Sequence, residues 1–241
     1  MVLSFWSFGF FCNSRDNYKK MNDQNHKPID SYTIIGRGIS ATVIKYNYSD
    51  HVVKMYHNHK NGLTNNQLLA NSKSYKTEID ILRKVQHRNI IKMISYDIDM
   101  ICLEYAQDGE LFDKIMTNIT NDTIHNTEWI CKSNKWMKQL ADAVEYLHGL
   151  FICHRDIKPE NILINAEGDL KLSDFGLSKQ LGTLEETMTE RCGTAYYMAP
   201  EVLDKKYTIL VDIWSLGIML FLMRTGLILI NGESDSDVIK N

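Results

Sequence analysis

Several large classes of protein are excluded by what this sequence lacks. No apolar run reaches the roughly 20 residues that a membrane-spanning helix needs. Val2–Cys12 is short and has no basic leading segment, so a buried or frayed terminus is expected there in place of a signal peptide or anchor. The run Ile213–Ile230 is broken by Trp214, Ser215 and Gly217 and then by Arg224 and Thr225, and a charge at that depth is costly in lipid. The five cysteines, Cys12, Cys102, Cys131, Cys153 and Cys192, contain no CxxC pair. Neither a disulfide framework nor a zinc site is indicated, and a reducing, intracellular and cytoplasmic setting is expected. The formal charge of −3 comes without a long basic run, so no nucleic acid or acidic membrane is expected as a partner through charge alone. His57 and His59 have no third ligand nearby and read as loop residues, not a metal pair.

With 241 residues, 44% of them hydrophobic, the chain can bury one large core or two small ones. Residues 1–30 read as a flexible lead-in, polar from residue 13 onward and rich in Asn, Asp and Lys. From there, β-branched and apolar residues fall into three short runs, Tyr32–Ile35, Thr42–Tyr48 and His51–Met55, which predict an antiparallel meander. Residues 57–74 are polar and read as a loop, after which Tyr75, Ile79, Leu82 and Gln86 recur at helical spacing. Ile90–Tyr96 and Met100–Tyr105 predict two more strands, and beyond Asp108 the pattern turns mostly helical, as in Trp136–Leu150 and Asp212–Met223. Strands first and helices after make an α+β chain.

The strongest chemical signal is His154-Arg155-Asp156-Ile157-Lys158-Pro159-Glu160-Asn161, followed by Asp174-Phe175-Gly176 and Ala199-Pro200-Glu201. Ahead of them stand Gly36-Arg37-Gly38-Ile39-Ser40-Ala41 between two strands, and Lys54 in His51-Val52-Val53-Lys54. Glu78 is placed four residues before Leu82 and seven before Val85, on the apolar stripe of its helix, where a carboxylate requires a buried cation. In this order and context, the set resembles the eukaryotic-type serine/threonine protein kinases, across about residues 31 to 241. The similarity is greatest to the calcium- and calmodulin-dependent group.

That resemblance implies a two-lobed fold. A small antiparallel sheet with one helix and the hinge would occupy residues 31–106, and a mostly helical large lobe residues 107–241. It implies ATP and Mg2+ as cofactors and proteins as substrates. Phosphoryl transfer asks a catalyst chiefly to clamp phosphates, hold magnesium and orient a hydroxyl. By resemblance, Asp156 handles the hydroxyl proton, Lys158 contacts the γ-phosphate, and Asn161 and Asp174 ligate magnesium, which prefers hard oxygen donors. ATP contacts are implied for Ile35, Gly36, Gly38, Val43, Val52, Lys54 paired with Glu78, Leu103 as gatekeeper, Glu104 and Ala106 of the hinge, and Leu163. His154, Phe175, Leu82 and Met93 match the spine that links the lobes, and Asp212 would brace the catalytic loop. Ala41 stands where the family has a third glycine, and Val52 where it usually has alanine. The loop is therefore expected to be stiffer, and the adenine slot tighter, than average.

Regulatory and substrate-reading roles are implied for Arg155, Glu190, Thr194, Glu110 and Glu160. Glu190 occupies the position of an activating phosphothreonine, so a fixed carboxylate could pair with Arg155 and replace the phosphate. Thr187 and Thr189 stand as candidate phosphorylation sites. Glu110 and Glu160 match the acidic pair that reads arginine upstream of the target. No EF-hand pattern follows, so calcium sensing in this chain is not expected. The resemblance also implies roughly 50 further residues, about three helices, with the usual basic partner of Glu201 among them. On that reading the large lobe lacks its last helices, and Leu227–Ile230 becomes an uncovered apolar run. An ATP-binding scaffold and a truncated inactive product remain as alternatives.

Overall fold

Residues rich in Val, Ile and Tyr lose little by adopting extended backbone and pack well on a pleated surface. In the computed structural model, which describes residues 32–57 and 63–230, these residues build a five-stranded sheet in the order β1-β2-β3-β5-β4. The strands are β1 (Tyr32–Arg37), β2 (Ala41–Tyr46), β3 (His51–Tyr56), β4 (Met93–Asp97) and β5 (Met100–Glu104). The lead-in 1–30, His59 and the segment from Asn231 onward lie outside the described residues. Antiparallel registers set Val43 opposite Lys54, Lys54 opposite Ile101 and Val52 opposite Leu103. Since side chains alternate with period two, Val43, Val52, Lys54, Ile101 and Leu103 share one face.

One helix, α1 (Asn65–Leu82), packs with this sheet. It starts inside the stretch 57–74 that the sequence pattern assigns to a loop. The helix opens with a capping box, the Thr64 hydroxyl accepting from Gln67 N and the Gln67 side chain accepting from Thr64 N, and this supports a first half with no apolar stripe. It ends at Leu82 with Arg83 as cap, so Gln86 lies beyond it. The strand expected from Ile90 begins only at Met93 because Ile90 and Ile91 pair instead with Leu172 of the second half of the chain.

Three long helices follow, α2 (Leu111–Thr120), α3 (Thr127–Gly149) and α4 (Val211–Thr225), with two small ribbons between α3 and α4. One ribbon pairs β6 (Ile152–Cys153) with β9 (Lys179–Gln180), and the other β7 (Ile162–Ile164) with β8 (Leu170–Leu172). The core runs from Leu82 and Ile101 through Phe175 and Ile162 to Trp136 and Met219 without a break. Helix α4 stops where Gly226 turns left-handed at φ 69°, a geometry that glycine adopts at no steric cost. Val211, Asp212, Ile218, Met219 and Met223 are buried, but Ile213, Trp214 and Leu220 on the same helix remain partly exposed. The helix is thus buried on one face only. Leu227, at 62% exposure, and its two successors are open. Glu201, expected as a buried carboxylate, is neither fully buried nor exposed. Among the described residues, no helix is long and apolar enough to cross a membrane.

Candidate active site

The sheet, α1 and the loop after β8 meet at Lys54. Its Nζ lies 2.7 Å from Glu78 Oε2 and 3.0 Å from Asp174 Oδ1. Glu78 is fully buried, as its place on the apolar stripe predicts, and the Tyr56 hydroxyl donates to the same Oε2. Desolvation works against the Lys54 charge, yet Glu78 first, then Asp174 and Tyr56, hold its pKa well above the ordinary lysine range. Desolvation also opposes the charge on Asp174, but the Lys54 ammonium and the Gly176 N–H keep its pKa below the usual carboxylate value. The Asp174 carboxyl remains 46% exposed, leaving a side free to meet a ligand.

The second cluster surrounds Asp156. Its Oδ1 accepts from the Thr194 hydroxyl at 2.8 Å, and its Oδ2 lies 3.0 Å from Lys158 Nζ and 2.9 Å from Asn161 Nδ2. Lys158 also donates to Thr194 Oγ1 at 2.8 Å, which closes a triangle. Asn161 spends its amide nitrogen on Asp156 O as well, so its Oδ1 is the atom left for another partner. Asn161 and Asp174 thereby offer two hard oxygens, a donor set that suits magnesium completed by phosphate and water. Among the described residues, no group of three or more His, Cys, Asp and Glu could hold a metal alone.

Asp212 of α4 fixes the backbone of this loop. Its buried carboxylate accepts from His154 N at 2.8 Å, Arg155 N at 2.9 Å and His148 Nε2 at 3.0 Å. Burial disfavours its charge, but these donors still draw its pKa below the usual value. Arg155 and Asp174 both sit at positive φ, 69° and 60°, where a side chain costs roughly 1–2 kcal/mol. His154 stacks edge-on against Phe175 at 4.9 Å, and Phe175, Leu82 and Met93 belong to one continuous core.

Around the cleft, Gly36 lies beside Val43, since a Cβ there would meet Val43 at 3.6 Å. Leu103 and Ala106 are buried, Ile35 is 45% exposed and Leu163 is partly buried beside the core, its strand bridging to Glu110. The Glu104 side chain turns to Lys171 at 2.9 Å and to the N–H of Lys92 at 2.8 Å, tying the end of β5 to β8. Lys171 escapes sequence reasoning, although the period-two pattern Leu170-Lys171-Leu172 places it opposite the buried face. Glu110 has its pKa raised by burial and by Asp113 and Glu160, against the pull of Lys158. Glu160 Oε2 is buried with no partner among the described residues.

Arg155 and Glu190 do pair, Nη1 to Oε2 at 2.9 Å, and Lys73 of α1 reaches the other Glu190 oxygen at 2.8 Å. The Tyr207 hydroxyl donates to Glu190 O, and Met188 and Tyr207 exchange backbone bonds of 2.7 and 3.2 Å. Gly193 sits at φ 105° against Arg155 O, 2.6 Å from where a Cβ would lie, so a side chain there is excluded twice over. Lys73 and then Arg155 lower the Glu190 pKa from its ordinary 4.5 to about 2. The group is half exposed, so Glu190→Gln should cost only about 0.5–1 kcal/mol at pH 7. A carboxylate with a depressed folded pKa stabilises above its unfolded value and loses that effect as pH falls toward the folded one. Urea midpoints of wild type and Glu190→Gln should therefore keep a constant gap from pH 7 to 5 and converge below the ordinary value of 4.5. A gap already closing at pH 6 would refute the clamp.

A fold of this build, with a lysine shared by a helix and a loop carboxylate and a second carboxylate held by Lys and Asn, defines a class, and comparison with known proteins agrees. Residues 29–241 match the protein kinase domain, and the chain belongs to that family. It is 35% identical over 245 residues to "Serine/threonine-protein kinase cds1" of Schizosaccharomyces pombe, covering 94% of this chain and 51% of the relative. It is 36% identical over 191 residues to "Probable serine/threonine-protein kinase MARK-C" of Dictyostelium discoideum, covering 74% and 23%. It is 30% identical over 238 residues to "Calcium-dependent protein kinase 3" of Plasmodium yoelii yoelii, covering 96% and 41%. The chain thus spans between about a quarter and half of the length of these relatives.

Proposed function

We propose that this chain is a serine/threonine protein kinase that transfers the γ-phosphate of ATP to protein hydroxyls. The observation that carries the reading is Lys54 held at 2.7 Å from Glu78 and 3.0 Å from Asp174, which unites sheet, helix and loop around one cation. Lys54 would steady the phosphates, with Ile35, Val43, Val52, Leu103, Ala106 and Leu163 enclosing the base. The backbone from Glu104 to Ala106 would read its edge. Asn161 and Asp174 would hold magnesium, which when bound neutralises phosphate charge. Asp156 would accept the proton of the attacking hydroxyl, and Lys158 would steady the phosphoryl group in flight. Thr194, bonded to both, would keep the two aligned. Preference for serine and threonine is supported by the lysine two positions after Asp156. A reducing, cytoplasmic setting is supported by the free thiols of Cys102 and Cys153, both buried. Protein substrates carrying arginine upstream of the target fit the carboxylate pair Glu110 and Glu160, whose mutual repulsion helps to raise the Glu110 pKa.

The test is incubation of the purified, folded chain with ATP, magnesium and two serine peptides, one with arginine upstream and one with alanine in its place. Transfer to serine, about tenfold more efficient for the arginine peptide, is the expected result. ATP binding without transfer would instead assign the chain a scaffold role.

A further inference from the structure

His57, a loop residue by its sequence context, follows Lys54 by three positions at the end of β3. Its backbone N–H donates to Ser40 O at 2.8 Å, which carries the β2–β3 ladder one step beyond Ala41 and Tyr56. Its ring grips the same turn from the side. Nδ1 lies 3.1 Å from Ile39 O, and Nε2 lies 2.8 Å from Thr42 Oγ1. A carbonyl oxygen only accepts, so Nδ1 carries the hydrogen toward Ile39, and Nε2 of the neutral ring accepts from the Thr42 hydroxyl. From the other side, buried Asn71 of α1 donates Nδ2 to His57 O at 3.2 Å.

We infer that His57 is a positioning residue that fixes the glycine-rich turn 38–42 and couples it to α1, the helix that carries Glu78. Among the described residues, the turn has few other anchors. Gly38 N bonds Ala41 O at 2.9 Å within the turn itself, and Ile39 at the tip is 85% exposed, so packing does not hold it. Ala41 is buried and removes the freedom that a third glycine would bring, in the same direction as the histidine. The consequence for ATP rests on the nucleotide site proposed above. A turn already ordered costs less to bind against than one that must be ordered by the ligand.

The experiment begins with amide hydrogen exchange over residues 36–46 in the nucleotide-free protein, comparing wild type with His57→Ala, His57→Asn and Thr42→Val. Two side-chain hydrogen bonds correspond to roughly three- to tenfold or more in an equilibrium. His57→Ala should speed exchange at 38–42 about tenfold and weaken ATP binding, read by calorimetry, about three- to tenfold. Asn keeps a donor near the Nδ1 position and should recover part of both effects. Thr42→Val, which leaves the ring in place, should give roughly a threefold change and decides the matter if His57→Ala does not fold. Asn71→Ala should speed exchange in the same turn. Exchange at 38–42 unchanged in both His57→Ala and Thr42→Val would overturn the inference, as would an Asn variant no better than alanine. If the wild type binds no nucleotide, the ATP reading falls, while the exchange rates still decide whether His57 holds the turn.

Discussion

Asp156→Asn is expected to lower phosphate transfer by about a thousandfold while ATP binding stays within about twofold of wild type. The substitution keeps the shape of the side chain and an acceptor for Thr194, whose hydroxyl lies 2.8 Å from Oδ1. It removes the charge that Lys158 faces at 3.0 Å and the basicity that a proton acceptor needs. Asp174→Ala should behave differently. It deletes the oxygen 3.0 Å from Lys54 and one of the two hard donors proposed for magnesium, so transfer is lost and magnesium no longer strengthens nucleotide binding. Calorimetric titration with ATP, with and without magnesium, separates the two variants, and a transfer assay run beside it gives the rates. Transfer by Asp156→Asn within tenfold of wild type would remove Asp156 from the chemistry. Magnesium dependence intact in Asp174→Ala would remove Asp174 from the metal site.

What could be read in advance divides along the range of the interactions. Lys54 and Glu78 were legible as inward-facing residues because strand and helix periods dictate which side chains face the core, while their pairing came from the resemblance to protein kinases. The sheet was legible from period-two runs bounded by turn residues, with ends shifted wherever a distant partner intervened, as Leu172 does for Ile90 and Ile91. The first half of α1 was hidden because its apolar residues, Leu68, Leu69 and Ala70, are consecutive and form no stripe, and its start depends on reciprocal capping by Thr64 and Gln67. Lys73 and Tyr207 carry no local signal, and for Lys171 the strand period marks only its face and not its partner. Their partners Glu190 and Glu104 lie 117, 17 and 67 residues away, and only the tertiary fold brings them together. His57 had the opposite difficulty. Its neighbour His59 suggested a metal pair, whereas its contacts are with backbone and hydroxyl atoms of the preceding hairpin.

Asp212→Ala is expected to destabilise the protein by about 3–5 kcal/mol, roughly 10 °C in melting temperature, and to abolish transfer although Asp212 touches no substrate. Three donors converge on this carboxylate, and its removal leaves the N–H groups of His154 and Arg155 without acceptors inside the fold. Each orphaned group costs about 1–3 kcal/mol. The loss falls where the backbone is already strained, because Arg155 is held at φ 69° and the Asp212 bond to its N–H is what opposes relaxation. Relaxing Arg155 would swing Asp156 next to it and release the Arg155 grip on Glu190 and on the Leu177 carbonyl, 2.7 Å from Nε. Asp212→Asn separates packing from charge, since one amide oxygen can serve a single N–H while the amide nitrogen opposes the other. It should recover less than half of the lost stability. The donors around Asp212 hold its folded pKa below the ordinary 3.8, so the contribution is complete at neutral pH and is lost only as pH falls through that region. Melting curves of both variants at pH 7 and pH 5 should therefore show the same deficit at the two pH values. A deficit below about 1 kcal/mol, or transfer retained in Asp212→Ala, would show that the catalytic loop holds its shape without α4.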